Sequence, residues 1–354
     1  MKRIINTSLI YFFVILAVLC GVQICPQKVF AEQDFPQGNE YAYYKYEGEV
    51  AHFFTHEIVN DPKKAFSGKL SHHFDKDCIT HTEFKNFLTE MYNNNFCLVD
   101  IFDVVGISDG KAYFKDLFVP LGKKPFMLSF DDMSYDSTNL GQSDKIILDD
   151  NGNFASFTKN NSPQVEYDKE AICIMEDFIA SHPDFSCRNA RAVLCPTGYD
   201  GILGYRINID GTNREEELEK IVPLVSKLKK LNYHFGCHTY EHIQVAYSSY
   251  STLCRDLKRY RDEIIPTINS TPIFCFPCGS KVMSGNKLEL LKQFGYKIFF
   301  CVGDATTQEK NGCVFLKREV LNGVALRNYR KEYSKFFDTK KVYDHENRTI
   351  KFPN

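Results

Sequence analysis

The chain has 354 residues, and its 43 Lys and Arg against 45 Asp and Glu give a formal net charge of −2. Hydrophobic residues make up 44% and charged residues 25% of the chain, as in ordinary soluble globular proteins. These values exclude a disordered chain, a collagen-like repeat, a multi-span membrane protein and a strongly basic nucleic-acid binder. The length allows one large domain or two modest ones.

Residues 1–31 have the pattern of a secretory signal peptide. Lys2 and Arg3 precede an apolar run over residues 9–22, and small residues lead up to Ala31, after which we expect cleavage. The alternative is an uncleaved membrane anchor, although the run is shorter than the roughly 20 residues that span a bilayer. The sequence therefore predicts a secreted or cell-surface protein, with membrane contact only if the segment is retained.

Strands and helices alternate behind a polar leader over residues 32–47. The predicted strands cover residues 50–59, 96–105, 125–130, 190–195, 233–237, 273–276 and 297–302, with a hairpin at 146–157. The predicted helices cover residues 83–93 (capped by Thr82), 169–180, 215–231, 250–264 and 287–294. This alternation indicates an α/β fold with a parallel sheet, either open or closed into a barrel.

Polar residues first interrupt this pattern where the strand over residues 125–130 ends. Asp131 and Asp132 follow that strand directly, at the carboxyl edge where the active sites of α/β folds collect. Successive side chains of a strand point in opposite directions, so one carboxylate could bind a metal while the other acts as a base. Adjacent aspartates in a loop are usually solvated or cap a helix, so the pair alone is weak evidence for a catalytic site.

A second interruption places two histidines four residues apart, His238 and His242. We expect them to meet on one face of a helical turn, a common arrangement of zinc ligands. Two unrelated surface histidines are the alternative. Together with Asp132 they form a set of two histidines and one carboxylate, which is typical of an open catalytic metal site.

The third interruption is the turn Pro277-Cys278-Gly279, which follows the strand over residues 273–276. A turn of this kind can present a backbone N–H to a developing oxyanion. Taken by itself, the segment predicts only a turn.

The three segments together resemble the NodB-type polysaccharide deacetylases, carbohydrate esterase family 4. The stretch Ser-Phe-Asp131-Asp132 is similar to their Thr-Phe-Asp-Asp-Gly signature, and His238-Thr-Tyr-Glu-His242 matches their His-(Ser/Thr)-x-x-His motif. Phe-Pro-Cys278-Gly resembles their aromatic-Pro-Tyr-Gly motif. The resemblance covers about residues 50–330. It implies a distorted (β/α) barrel as the catalytic domain, which we place at residues 48–338, before a polar tail at 339–354.

The resemblance also implies a metal-dependent N-deacetylase. Asp132, His238 and His242 would hold a divalent cation, with zinc favoured and cobalt or nickel as alternatives. The cation would polarise the acetyl carbonyl and lower the pKa of the attacking water, and Asp131 would take the proton as the general base.

The departing amine needs a general acid, and the resemblance offers one in the first strand. Many family members place the acid on a C-terminal Leu-x-His-Asp strand, but the sequence predicts no such strand after Asp304, and His345 lies in the polar tail. A circularly permuted branch, which includes poly-N-acetylglucosamine deacetylases, carries a Tyr-His-(Asp/Glu) motif on its first strand. Phe54-Thr55-His56-Glu57-Ile58 fits that motif. We therefore predict His56 as the acid and a place for this chain in the permuted branch.

Further residues are predicted to surround the substrate. The turn with Pro277 and Cys278 would supply the oxyanion N–H, and Cys278 replaces the family's Tyr without removing that donor. Cys275 stands where some members carry an Arg that orients the base, and we interpret Asp304 as a remnant of the orienting acid. Arg206 is a candidate for binding a substrate hydroxyl, with a structural ion pair as the alternative.

The leading hypothesis is a secreted hydrolase that removes N-acetyl groups from an N-acetylglucosamine-containing polysaccharide of a cell wall or exopolysaccharide. The expected partner is that polysaccharide, with no nucleic acid and no nucleotide cofactor. The alternative is a carbohydrate-binding pseudoenzyme on the same barrel, because Met133 replaces the motif Gly beside the metal site and Cys278 changes the pocket wall. A glycosidase that uses two carboxylates would leave the histidines unexplained.

The chain has no Trp but 20 Tyr and 13 Cys. Stacking on a sugar would therefore fall to tyrosines, and the sequence does not rank the candidates Tyr135, Tyr199, Tyr205 and Tyr240. Loss of Cys20 and Cys25 with the signal peptide leaves 13 − 2 = 11 cysteines. Free cysteine is a small buried apolar residue, so we expect mostly reduced thiols in the core, among them Cys195, Cys237, Cys275 and Cys301.

Overall fold

This computed structural model describes residues 42–135, 141–159, 163–209, 211 and 213–353. The signal peptide predicted for residues 1–31 and most of the leader predicted for 32–47 lie outside these residues, so both stay predictions. Within the described ranges, no helix is both long and apolar enough to cross a membrane.

Strands and helices alternate along most of the chain, as predicted. The strands are β1 (Tyr43–Tyr46), β2 (Ala51–Thr55), β3 (Phe96–Leu98), β4 (Val105–Ser108), β5 (Lys111–Phe114), β6 (Leu117–Pro120), β7 (Lys124–Asp132), β8 (Lys145–Leu148), β9 (Phe154–Thr158), β10 (Gln164–Glu166), β11 (Val193–Pro196), β12 (His234–Phe235), β13 (Ile273–Cys275), β14 (Ile298–Cys301), β15 (Gln308–Lys310), β16 (Cys313–Lys317) and β17 (Glu319–Val320). The helices are α1 (Pro62–Ala65), α2 (Ser71–Asp77), α3 (His81–Asn93), α4 (Ile101–Val104), α5 (Ala171–Ser181), α6 (Arg214–Lys230), α7 (Tyr250–Glu263), α8 (Ile265–Ile268), α9 (Asn286–Gln293), α10 (Gly323–Asn328), α11 (Arg330–Tyr333) and α12 (Thr339–Val342).

The parallel strands form two sheets that lie next to each other and together make up the wall of the fold. β17, β2, β7, β11 and β12 pair in that order, and β13, β14 and β16 form a second parallel run. A parallel bridge between Cys237 and Phe274 connects the first run to the second. On the other side only Arg318 separates β16 from β17, so the second run leads back into the first. The wall is therefore a distorted α/β barrel with two seams rather than one regular closed sheet, and the predicted fold class is confirmed.

Side chains alternate between the inside and the outside of this wall. In β7, Met127 belongs to the apolar cluster inside the barrel, together with Cys195 and Phe300 from other strands. The neighbouring Leu128 and Phe130 belong to a larger cluster between the wall and the helices. The same alternation carries the Asp131 side chain inward at the end of β7, where it is buried.

Two predicted elements differ from the structure because local caps were misread. The helix predicted over residues 83–93 is α3 and begins at His81, since the Thr80 side chain accepts the Glu83 N–H and the Glu83 carboxylate accepts the Thr80 N–H, a capping box. Thr82 is therefore not the cap. The strand predicted over residues 96–105 stops at Leu98, because the Asp100 carboxylate accepts the Phe102 N–H and caps the short helix α4.

The C-terminal part of the chain is more ordered than the sequence suggested. The short strands β15 to β17 and the helices α10 to α12 were not predicted. Within the predicted tail over residues 339–354, the side chains of Asp344 and Arg348 are buried, whereas His345 is exposed as expected. In this segment, predicted to be solvated, Arg348 forms buried ion pairs with Asp75 and Glu83, and Asp344 accepts a hydrogen bond from the Thr80 hydroxyl.

The cysteines agree with the expectation of buried thiols. All 11 cysteines of the described residues are free, and they include the four predicted core positions, Cys195, Cys237, Cys275 and Cys301, which are buried. Cys278 is the exposed exception and Cys254 is half-buried.

Candidate active site

The three predicted metal ligands come together at the carboxyl end of the barrel strands. The Oδ1 atom of Asp132 lies 3.6 Å from Nε2 of His238 and 3.5 Å from Nε2 of His242. Two ligand atoms that share a tetrahedral cation at about 2.0–2.2 Å are separated by roughly 3.4 Å. The donor atoms therefore have the chemistry and the spacing of a site for a divalent cation.

His238 is fixed from behind by the backbone. Its Nδ1 donates a hydrogen bond of 3.0 Å to the carbonyl of Cys275, and its ring is 2% exposed. This leaves Nε2 as the atom that can bind a metal. Metal-binding histidines usually donate their other ring N–H to a carbonyl or carboxylate in this way.

The charge state of His238 follows from its neighbours. Burial alone would lower its pKa, but Cys275, Asp131 and Asp132 raise that pKa to about 9. Burial raises the pKa of the Cys275 thiol well above its usual value, so that thiol is neutral at neutral pH. We therefore attribute the raised pKa of His238 to the carboxylates of Asp131 and Asp132. A cation that binds here must displace the imidazole proton.

A loop, not the predicted helical turn, brings His242 next to His238. The backbone takes left-handed conformations at Thr239 (φ 61°) and His242 (φ 50°), which non-glycine residues adopt rarely and which concentrate at functional sites. The buried carboxylate of Asp256 on α7 stabilises this loop, since it accepts the N–H groups of Tyr240 and Glu241 at 2.8 Å each.

The predicted base, Asp131, is clamped by an arginine that the sequence analysis missed. Arg318 donates hydrogen bonds of 2.7 and 2.8 Å to the two oxygens of Asp131, and its side chain is 1% exposed. It also donates to Ser129 at 3.1 Å and to the Cys275 sulfur at 2.8 Å. Arg318 lies between β16 and β17, in the part of the chain where no strand was predicted, so its position relative to the barrel gave no signal.

This clamp controls the protonation of Asp131. Burial would raise the pKa of the Asp131 carboxyl, but the charge of Arg318, the charge of His238 and the hydrogen bonds from Arg318 hold it well below its usual range. Asp131 is therefore ionised, oriented and unable to rotate away from the metal ligands.

The predicted acid, His56, lies in the same cavity, just after β2. Its Nδ1 donates a hydrogen bond of 3.0 Å to the backbone carbonyl of Asp77, the last residue of α2. A carbonyl only accepts, so Nδ1 carries a proton and Nε2 is the nitrogen available for proton exchange with a ligand.

Glu57 is a second residue to which the sequence analysis gave no role, although it belongs to the motif quoted for His56. Its buried carboxyl accepts the Tyr135 N–H at 2.6 Å and borders the cavity. Burial, supported by the charge of Asp132, raises the pKa of Glu57 to about 8 despite hydrogen bonds from Tyr135 and Ser134. Glu57 thus holds the loop that follows the predicted metal ligand Asp132.

These groups share one cavity of about 650 Å³. Its wall includes Asp131, Asp132, His238, His242 and His56 together with Tyr199, Cys278, Gly279, Phe276 and Arg318. The helix α2 contributes His73 and Asp77. The wall of this cavity thus brings together the predicted base, the predicted acid and the predicted cation ligands, which are the parts that hydrolysis of an acyl group requires.

Comparisons with known proteins give structural neighbours only. No family model and no curated protein matches the sequence. Among solved structures, the Streptococcus pyogenes deacetylase PplD in complex with acetate aligns over 78% of this chain and 93% of its own, at 14% identity and a TM-score of 0.46. BA0330 of Bacillus anthracis, whose assignment as a polysaccharide deacetylase is itself a proposal, aligns over 78% of this chain and 66% of its own, at 12% identity and a TM-score of 0.42. Since both TM-scores are below 0.5, the function must be inferred from the site itself.

The turn after β13 lies where the sequence placed it. Cys278 and Gly279 border the cavity, and both have positive φ angles, of 52° and 65°. Pro277 is buried and begins the short 3₁₀ turn Pro277–Gly279. The turn is thus within reach of a bound acyl group, and its role as an oxyanion site stays a prediction.

Two predicted substrate residues lie elsewhere. Arg206 donates to the carbonyls of Ser134 at 2.9 Å and Tyr135 at 2.6 Å, so it fixes the loop after Asp132 from outside and does not border the cavity. Asp304 is exposed and also absent from the cavity wall. The partner that orients Asp131 is Arg318, and the interpretation of Asp304 as the orienting remnant is wrong.

Met133 does not obstruct the metal ligands, contrary to the expectation from its size. Its backbone is left-handed, at φ 42°, which explains why a Gly suits this position. The side chain is 1% exposed and packs in the core cluster outside the barrel wall. The departure from the motif therefore affects the backbone and leaves the cavity open.

Proposed function

We propose that the protein is a metal-dependent deacetylase that hydrolyses N-acetyl groups on a polysaccharide containing N-acetylglucosamine. The observation that carries this proposal is the clamped pair of Asp131 and Arg318 beside the donor set of Asp132, His238 and His242. A structural metal site would need no ionised carboxylate held ready next to it.

Asp131 acts as the general base in this proposal. When a divalent cation is bound, it polarises the acetyl carbonyl and lowers the pKa of a water, so that even a weakly basic carboxylate can take the proton. Arg318 keeps Asp131 ionised and aimed, because two parallel hydrogen bonds leave the carboxylate no rotational freedom.

His56 completes the reaction as the general acid. The water oxygen forms a bond to the acetyl carbon, its proton goes to Asp131, the carbon–nitrogen bond breaks, and the amine leaves with a proton from Nε2 of His56. The backbone N–H of Cys278 would stabilise the negative oxygen that develops at the carbonyl. The products are acetate and a free amine on the sugar.

The finer parts of the proposal rest on the sequence. Zinc is the metal we favour, because two histidines and one carboxylate are typical ligands of catalytic zinc. Export follows from the signal-peptide pattern of residues 1–31, and an exported deacetylase would meet cell-wall glycan or exopolysaccharide.

The proposal is tested by acetate release from N-acetylglucosamine oligomers, peptidoglycan and poly-N-acetylglucosamine by purified protein loaded with Zn²⁺, Co²⁺ or Ni²⁺. We expect release from at least one glycan that stops on chelation with EDTA and returns on addition of the metal. No release from any glycan with any of the metals would contradict the proposed activity.

A second candidate is a carbohydrate-binding protein without turnover. The observation that favours it is the Arg318 clamp, which holds the pKa of Asp131 below its usual range, because a carboxylate held so firmly in its ionised form is a weak base. Glycan binding that is unchanged in an Asp131→Asn variant, with no acetate released by either protein, would support this candidate.

A further inference from the structure

The cavity contains one tyrosine that the proposed reaction does not use. Of the four tyrosines considered for sugar stacking, Tyr135, Tyr205 and Tyr240 are buried in the core. Tyr199 is 50% exposed and borders the cavity. The other cavity aromatics, Phe54 and Phe276, are buried, so Tyr199 is the aromatic side chain of the described cavity wall that offers a large exposed surface to a ligand.

The backbone of Tyr199 is tied to the loop that carries the metal ligands. The N–H groups of Gly198 and Tyr199 donate to the carbonyl of Tyr240, at 3.0 and 2.9 Å, and Tyr240 lies between the ligands His238 and His242 in sequence. The Asn208 side chain donates to the carbonyls of Gly198 and Tyr199 and to the hydroxyl of Tyr240. The position of Tyr199 relative to the metal ligands is thus fixed by several hydrogen bonds.

Gly198 shows how closely these two loops approach. A Cβ atom at this position would overlap the ring of Tyr240, so only glycine allows the contact. The absence of a side chain at Gly198 therefore allows the Tyr199 backbone to lie against the loop that carries His238 and His242.

The cavity has polar groups on the other side of β7. Tyr199 follows β11, which pairs with one edge of β7, whereas α2 follows β2, which pairs with the opposite edge. From α2, His73 and Asp77 border the cavity and bind each other, with Nδ1 of His73 3.2 Å from Oδ2 of Asp77. The metal ligand Asp132, at the end of β7, comes between an aromatic side and a polar side.

We propose that Tyr199 is the platform on which the pyranose ring stacks while its acetamido group reaches the metal ligands, an inference that rests on the proposed deacetylase function. A pyranose has an apolar C–H face that packs on an aromatic ring and hydroxyl groups at its edge that need hydrogen bonds. The exposed ring of Tyr199 and the polar pair on α2 match these two requirements. The substrate is therefore a saccharide in a pyranose ring, rather than an acetylated peptide side chain or a small acetylated amine.

The test compares Tyr199→Ala, Tyr199→Phe and the control Tyr247→Ala, a substitution of an 84% exposed tyrosine that does not border the cavity. The substrates are the N-acetylglucosamine tetramer and vinyl acetate, an acetyl donor without any ring. We expect Tyr199→Ala to raise KM for the tetramer about tenfold with kcat within about twofold, and to leave vinyl acetate hydrolysis unchanged, because a donor without a ring does not use the stacking surface. Tyr199→Phe keeps the ring and should match the wild type, as should Tyr247→Ala.

Two results would overturn the inference. One is an unchanged KM for the tetramer in Tyr199→Ala, and the other is an equal loss on both substrates, which would indicate a structural role. If the wild type releases no acetate, the proposed function fails, and calorimetric binding of the tetramer to the Zn²⁺-loaded protein decides instead. In that case, binding about tenfold weaker in Tyr199→Ala supports the platform, whereas equal binding or none to the wild type contradicts it.

Discussion

Two arginine–carboxylate pairs among the described residues, Arg318 with Asp131 and Arg348 with Glu83, are fully buried and nearly alike in geometry, but they differ in what surrounds them. Arg318 binds the two oxygens of Asp131 at 2.7 and 2.8 Å, and Arg348 binds the two oxygens of Glu83 at 2.9 and 2.6 Å. All four side chains are buried. The geometry of the pairs gives no indication of which one is functional.

Their neighbours make the difference. Asp131 lies in the wall of the cavity next to metal ligands, whereas Arg348 connects the C-terminal segment to α2 and α3 through Asp75, Glu83 and the carbonyl of Cys78. A buried ion pair alone thus gives no indication of function, and the adjacent cavity and ligand set are the reason why we propose a catalytic role for the first cluster only.

The largest effect is expected when the first cluster is broken by Arg318→Met. The substitution leaves the Asp131 carboxylate buried and unpaired, which should cost about 3–5 kcal/mol of unfolding free energy. The Asp131 carboxylate also loses the two hydrogen bonds that orient it, so kcat/KM for acetate release should fall about hundredfold. Urea unfolding and the acetate assay measure the two effects.

Arg318→Lys serves as the matched control for that substitution. It keeps the charge but loses the two-pronged hydrogen bond, so its activity should fall between wild type and Arg318→Met. Wild-type kcat in a folded Arg318→Met protein would show that the clamp has no part in the reaction.

Breaking the second cluster by Arg348→Met should affect stability alone. We again expect a loss of about 3–5 kcal/mol, because the buried Glu83 is left without its counter-charge, whereas Asp75 keeps Arg327. Measured at a temperature where the variant is folded, kcat should stay within about twofold of wild type, since Arg348 does not border the cavity. A drop in kcat as deep as that of Arg318→Met would remove the distinction between the clusters.

Glu57 gives a pH-dependent effect of intermediate size. Its folded-state pKa of about 8 lies above the usual value of 4.5, so between these values the folded protein holds a proton that the unfolded chain has lost. The contribution of the neutral Glu57 carboxyl to the unfolding free energy is complete below pH 4.5 and is lost as the pH rises through 8. In that range the unfolding free energy should fall by up to about 1.4 kcal/mol per pH unit. Urea unfolding of EDTA-treated protein should show this slope in the wild type and a flatter one in Glu57→Gln. Equal slopes would contradict the burial of a neutral Glu57.

The smallest effect is expected for Asp304→Ala. Asp304 is exposed and outside the cavity wall. The unfolding free energy should therefore change by no more than about 0.5 kcal/mol, and kcat/KM by no more than about twofold. A loss of activity comparable to that of Arg318→Met would restore Asp304 as the partner that orients the base.

The sequence predicted those site residues that are recognisable from their immediate neighbours in the chain. Asp131 and Asp132 follow a clearly apolar strand, and the spacing of His238 and His242 gave the ligand pair. The reason for the spacing was wrong, because the two rings meet through a left-handed loop and not through a helix. Left-handed backbone at Thr239 is disfavoured by its own side chain, so no residue preference could have indicated it.

Contacts between distant parts of the chain could not be predicted. Arg318 is 187 residues from Asp131, and Arg348 is 265 residues from Glu83. In sequence Arg348 lies in a polar tail that looks solvated, and Arg318 stands between two other charged residues, Lys317 and Glu319. Only the pairing of β16 with β14 and of β17 with β2 brings Arg318 inside the barrel. Burial of a charge depends on its partner, and the partner is set by the tertiary fold.

The most direct test of the account compares Co²⁺ binding and acetate release in the Asp131→Asn and Asp132→Asn variants. Asp131→Asn should bind Co²⁺ with the stoichiometry of the wild type but release acetate at least about a hundredfold more slowly. Asp132→Asn should lose both, because it removes a ligand. Acetate release by Asp131→Asn at the wild-type rate would contradict the central claim that a clamped carboxylate beside the metal ligands drives the reaction.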